Sequence, residues 1–281
     1  MTKQIGILHF SPTSTTKKVC TAIAIGMGTK DFRVFDMTNP KIRASIIDNT
    51  KTVFENIDHL IVGAPVYAGK LPLQVLECLG AINGNGKESS AIVVYGNRDY
   101  GIALHSMVKL LCEHGFNVTS AGAFIGQHSY SDIVPVAIGR PDESDLEKAR
   151  QLGIKSQSSN ICLSPSDVPI QLDKSSKSDK YPAIKPLHVE AKCIQCGKCA
   201  RKCPVGSLSA ETGRYLNRGA QKKCIGCMAC VNTCVQQAKV AKVNPLFKLV
   251  IKLILGKASR ERKEPLTIVA CDHAGEAKRA L

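Results

Sequence analysis

Eight cysteines between Cys193 and Cys234 constrain this chain more than any other feature. They form two runs of one pattern: Cys193, Cys196, Cys199 and Cys203, then Cys224, Cys227, Cys230 and Cys234. Three thiolates on so tight a loop can grip three corners of an iron–sulfur cubane. The fourth, on the outgoing helical turn, points away and reaches the other cubane. Cluster one then takes Cys193, Cys196, Cys199 and Cys234. Cluster two takes Cys224, Cys227, Cys230 and Cys203. Such an exchange staples the two runs together, so clusters and local fold depend on each other. Zinc and disulfides are the competing readings, but a zinc site needs only four ligands and usually pairs simple knuckles. Gly197 and Gly226 allow turns that aim N–H groups at sulfur. Ile194, Val205 and Ile225 are placed to shield the clusters from water.

The chain has 281 residues and 13 cysteines, and 44% of it is hydrophobic. That length suits a domain of ordinary size plus a small module. Cysteine-rich secreted domains are small and disulfide-bonded, but the segment Met1–Gly6 reads as the start of a strand and not as a signal peptide. No apolar run reaches the roughly 18 to 20 residues of a membrane span. The expectation is a cytoplasmic protein in a reducing compartment, with metal-bound thiols. Cys20, Cys78, Cys112, Cys162 and Cys271 lie outside the two runs and read as ordinary thiols.

Charge is unevenly spread. The net is +15, yet residues 1–160 hold 16 basic and 14 acidic side chains, residues 161–234 hold 12 and 5, and residues 235–281 hold 10 and 4. The excess lies in the cysteine half, where it suits an acidic partner or an anionic surface. Nucleic acid fits poorly, because the basic residues lack interleaved aromatics and a known motif.

Residues 1–160 alternate strand and helix patterns. Strands are expected at Ile5–Phe10, Phe32–Asp36, His59–Ala64, Ala91–Tyr95 and Val118–Ile125. Helices are expected at Lys17–Met27, Leu73–Leu79, Ile102–His114 and Glu143–Ser159. Continuous apolar strands separated by helices imply a parallel sheet covered on both faces. The fold class is α/β, a five-stranded doubly wound parallel sheet, followed by a small α+β module. Residues 161–186, with the polar run Lys174–Lys180, read as a linker or strap. The cysteine module takes residues 187–243 and a basic amphipathic tail residues 244–281.

In such sheets ligands bind at the carboxyl ends of the strands. Ser11-Pro12-Thr13-Ser14-Thr15-Thr16 joins the first strand to a helix start, where hydroxyls, free N–H groups and the helix dipole make a phosphate site. It is not a Walker loop. Pro65-Val66-Tyr67-Ala68-Gly69 and Gly96-Asn97-Arg98-Asp99-Tyr100-Gly101 follow later strands at the same edge. A planar ring between them would be stacked by Tyr67 or Tyr100. His128, beyond the fifth strand, is placed to touch that ring or relay a proton.

The cysteine stretch, over roughly residues 187–242, resembles the bacterial two-cluster ferredoxins, with Val235 where proline usually follows the fourth cysteine. The three loops resemble those of flavodoxins, with Ser14 where a glycine is usual. That resemblance covers residues 1–160 and implies FMN. Ser11, Thr13, Ser14, Thr15 and Thr16 would hold its phosphate, and residues Pro65 to Gly69 and Gly96 to Gly101 its isoalloxazine. The whole chain resembles a family of flavodoxin–ferredoxin fusions found largely in anaerobes.

FMN takes two electrons together or one at a time, whereas the clusters pass one. An electron-transfer protein is therefore expected, with ferredoxins, flavodoxins or redox enzymes as partners. The alternative is an FMN-dependent reductase of a nicotinamide, a quinone or another small substrate. No G-x-G-x-x-G follows a strand, so a dedicated nicotinamide domain is missing. The tail helix, Pro245–Gly256, reads as docking on the protein's own surface, the alternative being peripheral contact with a membrane or partner. Leu266–Cys271 reads as a short strand or extended segment.

Overall fold

A computed structural model describes residues 3–50, 52–157, 161–171 and 184–270. Five strands, β1 (Ile5–His9), β2 (Phe32–Asp36), β3 (His59–Pro65), β4 (Glu88–Tyr95) and β5 (Asn117–Ile125), run parallel in the order 2-1-3-4-5. That is the flavodoxin-like doubly wound order, whose switch point lies between β1 and β3. β1, β3 and most of β4 and β5 are buried, as their continuous apolar runs require. β2 is an edge strand, and its alternation is correspondingly looser.

Helices α1 (Thr15–Gly26), α2 (Pro40–Asp48), α3 (Leu73–Ala81), α4 (Ala103–Glu113) and α5 (Glu143–Ser156) cover the sheet. Val19, Cys20 and Ile23 of α1 pack with Ala149 and Leu152 of α5 on one face. Val75 and Leu79 of α3 pack with Leu104, Met107 and Val108 of α4 on the other. Helix α2 stands where no helix is expected. Its signal was present: Asn39 caps the helix by accepting from the Lys41 N–H, and Pro40 fills the first turn.

The cysteine module is small. β6 (Leu187–His188) pairs antiparallel with β7 (Lys239–Val240), and the short helices α6 (Lys198–Arg201), α7 (Arg218–Lys223) and α8 (Ala229–Asn232) lie between them in sequence. Of the expected linker, residues 161–171 pack against the sheet: Leu163 and Val168 are buried, and the Leu163 N–H donates to the Val118 carbonyl. Lys174–Lys180 and Cys271 lie outside the described residues.

The tail does more than dock. Helix α9 (Pro245–Arg260), capped by Asn244, buries Ile251, Leu255 and Ala258. The chain then returns to the first domain, where β8 (Leu266–Val269) adds antiparallel to β5, Leu266 opposite Ala123 and Val269 opposite Ser120. The sheet therefore has six strands, one more than expected. A four-residue apolar segment shows its strand character locally, but its partner is about 140 residues away in sequence and invisible to local pattern. Ile133, Val134 and Val136 after β5, Ile184, Met228 of the cysteine module and the inner face of α9 share one further apolar cluster.

Helices α1 and α5 cross in backbone contact: a Cβ on Gly153 would stand 2.1 Å from the Ile23 carbonyl oxygen, and one on Gly26 2.0 Å from that of Arg150. Gly153→Ala is expected to destabilise the holoprotein by about 1–3 kcal/mol through overpacking. Gly256→Ala, where a Cβ meets nothing within 4 Å, is expected to be neutral or slightly stabilising. Urea unfolding followed by circular dichroism compares the two.

Candidate functional site

The loop from Ser11 to Thr16 is closed by its own bonds. Ser14 N–H donates to the Ser11 carbonyl, Lys17 N–H to Ser11 Oγ, and Ser11 N–H to Thr38 Oγ1. Ser14 sits at φ 68°, in the left-handed region. The position thus asks for glycine-like geometry, which serine adopts at a cost of roughly 1–2 kcal/mol. Thr15 and Thr16 open α1, so their N–H groups have no carbonyl one turn back. Thr16 is buried, and its hydroxyl has no partner in the protein. An anionic group against this turn would meet unspent donors at the positive end of α1.

Beyond this turn opens a cleft of about 360 Å³, within the range of small-molecule and cofactor sites. Thr13, Thr15, Pro65, Val66, Tyr67, Ala68, Gly96, Arg98 and His128 line it, all of them expected from the sequence. A polar recess of about 170 Å³ adjoins it at Thr13, Thr15, Lys18, Gln127 and His128. His128 packs so closely on Gly96 that a Cβ there would lie 2.4 Å from the ring. Its Nδ1 accepts from the Tyr130 N–H at 3.0 Å, leaving Nε2 to carry the proton. Burial, with the nearby Arg98 charge, lowers its pKa to about 4, so the ring is neutral at pH 7.

Other expected residues stand elsewhere. Gly69 and Gly101 hold their two loops together: Gly101, at φ 56°, would place a Cβ 2.5 Å from the Gly69 carbonyl oxygen. Asp99 accepts from the Gly101 N–H. Tyr100 is buried edge-to-face on Tyr95, with ring centroids 5.6 Å apart, so of the two candidate stacking tyrosines only Tyr67 reaches the cleft. Asn97 donates to the Ala258 carbonyl at 2.7 Å and the Glu261 carbonyl at 2.6 Å, and accepts from the Lys263 N–H. It clamps the end of α9, and its amide is spent there.

The far wall of the cleft was not foreseen. It is made by Ile225 and Gly226 of the second cysteine run, and by Phe247, Ile251, Ile254 and Leu255 of α9. Burial holds the Tyr67 phenol well above its ordinary pKa, and the neighbouring Cys227 and Tyr130 push the same way.

The eight cysteines divide as the spacing requires. Cys193, Cys196, Cys199 and Cys234 line one hollow; Cys203, Cys224, Cys227 and Cys230 line another. Among the described residues no three His, Cys, Asp or Glu side chains converge closely on one point. The runs repeat their backbone as well as their cysteines. Positive φ recurs at Gln195 and Gly226, at Gly197 and Met228, and at Gly206 and Gln237. Ser207 N–H donates to Cys203 Sγ at 3.3 Å, and Ala238 N–H to Cys234 Sγ at 3.2 Å. Val235 therefore keeps the turn that Pro204 makes in the first run. Burial pushes the Cys227 and Cys230 thiols up to about 12, so metal binding has to displace their protons. Shielding is unequal. Ile194 lines the hollow of Cys193, Cys196, Cys199 and Cys234 but is 64% exposed, whereas Met228 is buried beside the other hollow, which Val205 and Ile225 also line.

Residues 165–239 match the family model of the 4Fe-4S dicluster domain. A subunit of an ion-translocating oxidoreductase complex from Methanosarcina acetivorans is 41% identical over 49 residues, a stretch covering 17% of this chain and 18% of that protein. The chain thus matches less than a fifth of that relative's length. Among solved structures, a flavodoxin from the domain Archaea is 23% identical (54% of this chain, 94% of that one, TM-score 0.40). Flavodoxin 2 from Bacillus cereus is 15% identical (55% and 97%, TM-score 0.41). The fold assignment rests on the strand order itself. The first domain has the doubly wound order 2-1-3-4-5, and the matched segment that follows it carries both cysteine runs.

Exchange of the fourth cysteine makes a crossed prediction. Cys234→Ser is expected to damage the cluster of Cys193, Cys196 and Cys199, and Cys203→Ser that of Cys224, Cys227 and Cys230. Iron analysis and the EPR signal of each variant test it; loss of the cluster nearest in sequence would refute the pairing.

Proposed function

We propose that this chain carries electrons between FMN in the cleft and two 4Fe–4S clusters, and on to a redox partner at cluster one. The residues present suit FMN: unspent donors at the start of α1 for its phosphate, Tyr67 and the strand-end loops for its ring, and a neutral Nε2–H on His128. When bound, FMN supplies two-electron capacity, which the clusters draw on singly. The observation that carries the reading is the shared wall. Ile225 and Gly226, between the first two ligands of cluster two, line the same cleft as Tyr67.

The protein's residues order the rest. Tyr67 and the apolar side chains of α9 give the cleft an apolar wall. His128 holds its proton on Nε2. Cluster one would be the outer terminus, with Cys196 and Ile194 exposed, Val235 79% exposed, and exposed Lys192, Lys198 and Lys202 around it. Such a surface suits an acidic redox protein. The reductase alternative is less favoured, because Phe247, Ile251, Ile254 and Leu255 of α9 close one side of the cleft.

Anaerobically prepared protein is expected to hold about eight irons and one FMN per chain. Reduced acidic ferredoxin is expected to bleach both chromophores rapidly, and NADH or NADPH alone only slowly. Stopped-flow absorbance decides; fast flavin reduction by a nicotinamide alone would transfer the assignment to the reductase.

Helix α9 gives this carrier a place to work. Leu246, Leu249, Val250 and Leu253 form an exposed apolar face opposite the buried Ile251, Leu255 and Ala258, with exposed Lys248, Lys252 and Lys257 beside it. Among the described residues no helix is long and apolar enough to cross a membrane. The face suits an anionic lipid surface, its leucines entering the interface while the lysines reach headgroups. Co-sedimentation with phosphatidylserine vesicles is expected, weaker with phosphatidylcholine and lost in Leu249→Glu/Leu253→Glu with the clusters intact. Equal binding by variant and parent would refute it, as would a parent dimer that the variant dissociates.

A further inference from the structure

Lys239 opens β7 at 2% exposure, and its Nζ has no hydrogen-bond partner. Among the described residues no carboxylate forms an ion pair with it. A buried ammonium without a counter-charge is strongly disfavoured unless something anionic answers it. Its surroundings show what does. Lys239 lines the hollow of Cys193, Cys196, Cys199 and Cys234. Its charge also reaches Cys199 of cluster one and Cys230 of cluster two, and its Nζ lies 5.5 Å from the centre of the Tyr215 ring, whose hydroxyl donates to Cys224 Sγ. Across the strand pair, His188 presents a second buried nitrogen without a partner, Nδ1, to the same hollow.

The internal repeat sharpens the point. Cys203 is followed four residues later by Ser207 and then by Leu208; Cys234 is followed by Ala238 and then by Lys239. The two serve equivalent positions. Leu208 lines cluster two's hollow, and Lys239 lines cluster one's. One repeat has filled the position with a hydrophobe and the other with a charge.

We propose that Lys239 is the resident counter-charge of the cluster pair and makes the outer cluster, held by Cys193, Cys196, Cys199 and Cys234, the more easily reduced of the two. Reduction adds one electron, and hence one negative charge, to a cluster. A fixed cation on its wall, in a medium of low dielectric, stabilises that reduced form. A single electron supplied by a low-potential one-electron donor then rests on the outer, exposed cluster. This rests on reading the two hollows as cluster sites, and it concerns the order of their potentials.

The test is an EPR-monitored redox titration of full-length, anaerobically reconstituted protein, with iron content measured on each sample. Parent, Lys239→Leu, Lys239→Gln and Lys239→Arg are compared, each also in the Cys203→Ser background to single out cluster one. Loss of charge in Lys239→Leu and Lys239→Gln is expected to lower the equilibrium constant for reducing cluster one at least tenfold, which for a one-electron couple is about 59 mV. The fall at cluster two should be smaller, and Lys239→Arg should restore most of the parent value. Unchanged potentials at full iron content would overturn the proposal, as would a larger fall at cluster two. If Lys239→Leu assembles no clusters, equal potentials in the Gln and Arg variants overturn it, and the expected order between them supports it. A folded parent without iron would instead remove the cluster reading itself.

Discussion

The exchange of one cysteine between two repeats is the constraint on which the rest depends. The cysteine module has little apolar interior: Leu208, Cys227, Met228, Ala229 and Ala238 are its buried hydrophobic positions. So small a core does not sustain a fold by burial alone. Metal–thiolate bonds supply the missing free energy, and because Cys203 and Cys234 each cross to the other hollow, neither half can settle without its neighbour. The loop Cys224–Cys227 takes its shape from this assembly. Since Ile225 and Gly226 form part of the far wall of the cleft, the cleft of the first domain takes part of its geometry from the second.

Closure comes from the chain's return. After the cysteine module, α9 lays its inner face on the cleft, and β8 re-enters the sheet beside β5. Asn97 ties the end of α9 to a cleft loop, and Arg140, paired with buried Asp145, donates to the Lys263 carbonyl at 2.7 Å. Arg262 adds two more bonds across this seam, both to the Asp142 carboxylate. A loop at the strand ends therefore does two jobs. Gly96 and Arg98 face the cleft while Asn97 faces the clamp, at φ 61°, the left-handed turn that asparagine tolerates best among residues with a side chain.

How much of this was legible follows from the range of each interaction. The cysteine runs were readable because ligand spacing is a local property, and the structure sorts all eight into the two expected hollows. The parallel strands were readable from continuous apolar runs, and the turn from Ser11 to Thr16 from its hydroxyls at a helix start. Loop side chains were legible only as a group: nothing in Gly96–Gly101 says that Tyr100 turns into the core and Asn97 toward α9. The apolar stripe of α9 was visible, but a stripe does not name what it covers. Its two apolar faces, one buried and one exposed, read in sequence as a single hydrophobic segment.

The placement of α9 bears on chemistry as much as on stability. An open ring edge in such a cleft would meet any small reductant or oxidant in solution, and electrons would leak by collision. Ile225 lines both the cleft and the hollow of Cys224, Cys227 and Cys230. Cys227 is buried beside that shared wall, whereas Cys196 of the other hollow is exposed. On the proposed reading the inner hollow therefore faces the flavin and the outer one a partner. A fixed charge counts for more beside the inner hollow, and the exposed lysines around the outer one would select partners by charge.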